Sequence, residues 1–79
     1  MSDLVKRSFT LSRHRTSIAL EPEFWAVLEE MSTGRSLASL IASIDATRPP
    51  ERPLASALRV AALRYSHSDK KDRLFRDLS

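Results

Sequence analysis

Between Arg13 and Ile44 the spacing of hydrophobic positions changes period once. Thr16-Ser17-Ile18-Ala19-Leu20 alternates, so Thr16, Ile18 and Leu20 share one face and Arg15, Ser17 and Ala19 the other, the pattern of a strand covered on one side. From Glu21 the period becomes helical, with Phe24, Val27, Leu28 and Met31 at i, i+3, i+4 and i+7. Pro22 suits the first helical position, where its missing N–H costs nothing, and Glu21 and Glu23 suit the positive end of the helix dipole. The pattern predicts a strand over 14–20 and a helix over 22–33, closed by Gly34, the single glycine of the chain, in a left-handed C′ position. Ser36 then caps a second helix over 36–47, whose stripe Leu37, Leu40, Ile41 and Ile44 repeats the same spacing.

The flanks read differently. Phe9-Thr10-Leu11 alternates out of phase with Thr16–Leu20, which requires a kink or turn within Ser12–His14. Residues 1–12 are therefore an N-terminal arm, either flexible or forming an extra edge strand. Prolines 49, 50 and 53 make 48–53 a connector that cannot continue a helix. Beyond it Leu54, Leu58, Ala61, Ala62 and Tyr65 line one side of a third helix over 54–66. Residues 67–79 form a charged tail expected to fray, in which Leu74, Phe75 and Leu78 could dock on a protein partner.

A strand with no neighbour leaves its backbone donors and acceptors unpaired. A chain of 79 residues also has a thin core, without cysteines for disulfides and with only His14 and His67 as imidazoles. Both point to a second copy of the chain. The expected fold is mainly α with one strand: an intertwined homodimer joined by an intermolecular two-stranded antiparallel ribbon, with the third helix appended. Its dimer core would comprise Ile18, Leu20, Phe24, Trp25, Val27, Leu28, Met31, Leu37, Leu40, Ile41 and Ile44. Trp25 lies beside the stripe, placed for the dimer core or for cover by the third helix.

Charge gives the strand a direction. The net charge is +3, and residues 1–20 alone sum to +3 while 21–34 sum to −4, so the positive end is the strand end. Ten of the thirteen basic residues are arginine, which suits bidentate contact with phosphate or guanine. A two-stranded ribbon fits the DNA major groove, and Arg15, Ser17 and Ala19 could there meet guanine, several base edges and a thymine methyl. The same alternation also describes any half-buried strand with its polar side in water. At the start of the second helix, the free amides of Leu37 and Ala38 with Arg35 could hold a phosphate, or Ser36 could simply cap its own helix. Arg7 and Arg13 are further phosphate candidates. No acid/base pair, nucleophile, glycine-rich loop or metal-ligand spacing points to an enzyme or a cofactor. No apolar run is long enough for a membrane span or signal, and the expected location is the cytoplasm, at the nucleoid.

Residues 15–44, with Gly34-Arg35-Ser36-Leu37-Ala38-Ser39 at the inter-helix turn and Pro22 opening the first helix, resemble the ribbon-helix-helix family of bacterial and phage repressors, which includes the Arc and methionine repressors. More narrowly, HRTSIALEPEFW and SLASLIASIDATRPP followed by LASALRVAALRY are similar to alphaproteobacterial members with a C-terminal third helix. The resemblance implies a homodimer on double-stranded DNA, with Arg15, Ser17 and Ala19 at base-reading positions and Ser36 with its following amides as the phosphate clamp. Ala19 departs from the longer polar or basic reader often found there. The expected function is a sequence-specific DNA-binding transcriptional regulator, a repressor. An antitoxin with a toxin-binding C-terminus and a protein-binding dimer without DNA contact are the alternatives.

Overall fold

The computed structural model describes residues 3–78, excepting the side chains of 68–78. Its elements are β1 (Val5–Leu11), β2 (His14–Leu20), α1 (Pro22–Met31), α2 (Leu37–Thr47) and α3 (Leu54–Leu78). β1 and β2 pair antiparallel within one chain, from Val5 opposite Leu20 to Leu11 opposite His14, so β2 has a neighbour along one edge before any second chain is added. The 1–12 arm is thus largely strand. The turn needs only two residues, Ser12 and Arg13, because both adopt positive φ, 48° and 70°. Left-handed backbone at both positions is the mark of the type I′ hairpin turn, whose twist matches that of the flanking strands. Folding back also resolves the phase slip, since it brings Phe9 opposite Thr16 and Arg7 opposite Ile18, on the face that meets the helices.

The helices follow their sequence signals closely. Glu21 precedes Pro22 in extended conformation, and its carbonyl accepts from Phe24 N at 3.0 Å. α1 ends two residues before the expected boundary, where Ser32 Oγ and Thr33 Oγ1 donate to the carbonyls of Glu29 and Glu30 at 2.8 and 2.7 Å. Gly34 has φ +91°, the left-handed conformation that its position demanded. Ser36 Oγ accepts from Ser39 N at 3.0 Å and opens α2. At the other end of α2, Arg48 bonds the Asp45 carboxylate at 2.9 Å and the Arg52 carbonyl at 2.7 Å, tying the proline connector to the helix it leaves. α3 continues through Leu78, well past the residue 66 boundary expected from its apolar stripe. The docking expectation for Leu74, Phe75 and Leu78 rests on side chains outside those described.

One core joins all five elements: Leu11, Ile18, Leu20, Trp25, Leu28, Leu40, Ile41, Leu58 and Ala62 are buried together. Phe24, Val27, Met31, Leu37 and Ile44 are half-buried against it. The side chains expected to form a dimer core therefore already pack within one chain, because β1 supplies Leu11 and α3 supplies Leu58 and Ala62 as cover. Trp25 lies in this core, but its polar contact is with β1: the indole Nε1 donates to the Val5 carbonyl at 2.8 Å.

Candidate nucleic-acid interface

Antiparallel register puts directly opposite residues on the same face of a hairpin. Thr10 stands opposite Arg15, Ser8 opposite Ser17 and Lys6 opposite Ala19. Apart from Ala19, which is half-buried, all of these are exposed, and they form the outer face of the ribbon. The Oγ atoms of Ser8 and Ser17 are 3.1 Å apart, a cross-strand hydrogen bond on that face. Arg15, Ser17 and Ala19 are brought together as their alternation required. Lys6, Ser8 and Thr10 join them from a strand whose alternation was visible but whose position was not.

The inner face fixes the ribbon to the body. Phe9 lies against Trp25 with ring centroids 5.9 Å apart, and the Arg7 guanidinium lies 5.0 Å over the Trp25 ring. Arg7 also bonds the Glu29 carboxylate of α1 at 2.8 Å. Arg7, expected to grip phosphate, is thus turned toward the helices and paired with an acid. Half-exposed as it is, that ion pair adds little stability, and its main effect is to aim the arginine. Below the ribbon, Leu11, Ile18 and Leu20 are buried, so the strand positions cannot slip without exposing apolar surface.

The phosphate candidates occupy two places. Arg13 is exposed at the tip of the hairpin turn, and Arg35 is exposed just before α2. Ser36 caps α2 and its Oγ also reaches Ser39 Oγ at 3.0 Å, so the capping role is filled within the chain. The N–H groups of Leu37 and Ala38 still belong to the first turn of α2, where a helix has no carbonyl of its own to offer.

At the exit of β2, Glu21 takes both Arg59 Nε and Nη2 on one carboxylate oxygen, at 3.0 and 2.9 Å. Its own backbone N–H first, then the Arg59 guanidinium, hold the Glu21 carboxyl below its ordinary value of 4.5. Arg59 in turn lies 5.8 Å over the Phe24 ring, so one arginine of α3 braces the point where the ribbon passes into α1.

The ribbon-helix-helix domain family matches residues 4–66. The structure is similar to that of an uncharacterized protein from Bordetella pertussis Tohama I, at 30% identity and a TM-score of 0.76, over 91% of this chain and 62% of that one. This chain therefore spans less than two thirds of that protein. No curated protein matches. Ribbon-helix-helix domains are a non-enzymatic DNA-binding fold whose members act as dimers, as regulators or antitoxins. Among the described residues no helix is long and apolar enough to cross a membrane. Because the matched span takes in the hairpin, α1, α2 and the first half of α3, the chain belongs to the ribbon-helix-helix family.

Proposed function

We propose that this protein is a sequence-specific transcriptional regulator, a repressor of the bacterial cytoplasm, that binds double-stranded DNA as a homodimer and reads the major groove with the outer face of its ribbon. The observation that carries this reading is the division of the hairpin into two faces. One is buried on the core through Leu11, Ile18 and Leu20, and the other presents exposed Arg15 and Ser17, over which nothing packs among the described residues. Neighbouring strands stand about 4.8 Å apart, so a two-stranded ribbon enters a groove about 12 Å wide with room for side chains. Arg15 would bond guanine O6 and N7, Ser17 a base edge, and Ala19 a thymine methyl. Arg13, Arg35 and the Leu37 and Ala38 amides beside Ser36 would hold phosphates, which set register and affinity rather than sequence. Arg7 is left out of that set because Glu29 already takes its guanidinium.

The antitoxin alternative needs a C-terminal region free to wrap another protein. Ala57, Leu58 and Ala62 of α3 are instead buried in the chain's own core, which favours the regulator.

Selection of bound sequences from random DNA by the purified protein tests the proposal, and a lack of enrichment overturns it. On the selected duplex, Arg15→Ala should cost about 1–3 kcal/mol and relax the preference at one base position. Arg35→Ala should weaken selected and scrambled duplexes alike and lower the salt slope by about 1.

A further inference from the structure

Three arginines surround one cleft that has no role in that reading. Arg48 at the end of α2, Arg52 in the proline connector and Arg64 on α3 line a hollow of about 170 Å³. We infer that this cleft binds a small organic dianion, a dicarboxylate or a phosphate monoester with a short hydrocarbon body. The inference stands apart from the DNA-binding function proposed above. The cleft lies at the far end of α2, about 16 Å along the helix from the Ser36 cap at a rise of about 1.5 Å per residue.

Charge is the first support. Among the described residues no carboxylate lines the cleft, and the one ion pair made by these arginines joins Arg48 to Asp45 at 2.9 Å. Glu51, the other acid between residues 44 and 64, is exposed and outside the lining. Arg52 and Arg64 thus bring two guanidiniums to one hollow with no acid of the lining to offset them. Charges of one sign gathered in a cleft with apolar walls focus a field that draws counter-ions. Two uncompensated positive charges match an occupant with two negative ones.

Geometry is the second support. Two of the five N–H groups of Arg48 go to the Asp45 carboxylate and the Arg52 carbonyl, at 2.9 and 2.7 Å. These bonds fix the guanidinium and leave three N–H groups in the planar fork that pairs with carboxylate or phosphate oxygens. An arginine already held in place loses little freedom when a ligand arrives. The walls define the rest of the occupant. Ala57 and Ala61 of α3 open the space because their side chains are short, and Ile44 and Val60 border it with hydrocarbon. The occupant therefore carries an apolar body as well as charge. At about 170 Å³ the cleft is smaller than the roughly 300–1,000 Å³ of sites for drug-sized molecules, which limits that body to a few carbons.

Calorimetric titration of the full chain at low salt with succinate, n-propyl phosphate and butyrate tests the inference. Succinate or n-propyl phosphate should bind saturably at one per chain, and the tighter of the two identifies the oxyanion. Butyrate has as many carbons as succinate but a single charge, and it should bind at least about tenfold more weakly. Arg52→Gln and Arg64→Gln should each weaken the dianion about 10- to 100-fold, the worth of a charge-assisted hydrogen bond. Arg64 is exposed and Arg52 partly so, and neither change threatens the fold. Lys6→Gln removes a positive charge outside the cleft and should leave dianion affinity unchanged. The Tm of the wild type should rise with dianion concentration by mass action, and that of the Arg52→Gln, Arg64→Gln double variant should not. Absence of saturable binding, butyrate as tight as the dianions, or equal weakening by Lys6→Gln and the cleft variants overturns the inference. So does a wild type that binds neither dianion while the double variant loses affinity for every DNA sequence, since the arginines are then phosphate contacts. The DNA-binding proposal fails on a different result, the lack of any enriched sequence.

Discussion

Trp25 is 2% exposed, yet one of its atoms is polar, and that atom decides how β1 is held. The indole N–H meets the Val5 carbonyl while the ring supports Phe9 and Arg7, so a single side chain of α1 fastens three positions of the strand. Trp25→Phe keeps an aromatic ring but removes the donor and part of the volume. It should lower stability by about 1–3 kcal/mol in urea unfolding, and amide exchange should quicken in β1 before α2. An unchanged midpoint would mean that β1 is held by its strand pairing alone. That Trp25 would be buried was legible in the sequence, because it borders the stripe of Phe24, Leu28 and Met31. What would cover it was not, because helical spacing states which face is covered and leaves the covering element unnamed. Arg7 is the same case with charge: its position near the strand suggested phosphate, and only the fold reveals Glu29 beside it.

Among the elements, α2 was the most legible, since Ser36 caps it and the helix ends at Thr47, as the serine and the prolines had marked. The hairpin was the least legible, although its phase slip placed a turn within Ser12–His14. Type I′ turns favour Asn-Gly because both central residues need positive φ, and here Ser12 and Arg13 occupy those positions instead. Without that signature, the two short alternating stretches leave open whether residues 1–12 are a flexible arm or an extra edge strand, and the structure makes them the strand. The turn consequently carries removable strain, since a left-handed residue other than glycine costs about 1–2 kcal/mol. Ser12→Asn combined with Arg13→Gly should therefore stabilise the protein, raising Tm by about 4–8 °C per kcal/mol gained. The same variant should lose affinity for all DNA sequences through removal of the Arg13 charge. A lower Tm would show that the two residues do not adopt the left-handed conformation in solution.

At the scale of the whole molecule, α3 changes from an appendage into a wall of the core. Leu58 and Ala62 cover part of the apolar stripes of α1 and α2, while Phe24, Val27, Met31, Leu37 and Ile44 stay half-buried, since an apolar stripe can be satisfied by a neighbour from its own chain or from a second one. The polar bond that secures this wall is Glu21 with Arg59, which links the start of α1 to α3 and so indirectly sets the angle at which the ribbon leaves the body. Its contribution depends on pH with a definite sign. The Glu21 carboxyl is held below its ordinary value of 4.5, by its own backbone N–H and then by Arg59, so folding favours its ionised form. That stability is fully present above 4.5 and is lost as pH falls through the depressed folded value. Glu21→Gln removes the ionisation. The variant should be less stable than the wild type at neutral pH and should lose less on acidification, so the two stability curves converge in acid. Because both side chains are partly exposed, the gap at neutral pH should narrow in high salt. Arg59→Gln should behave alike, and the double variant should be no worse than either single one, as expected of two groups that act through one bond. Curves that stay parallel from neutral pH into acid would show that Glu21 does not couple protonation to the docking of α3.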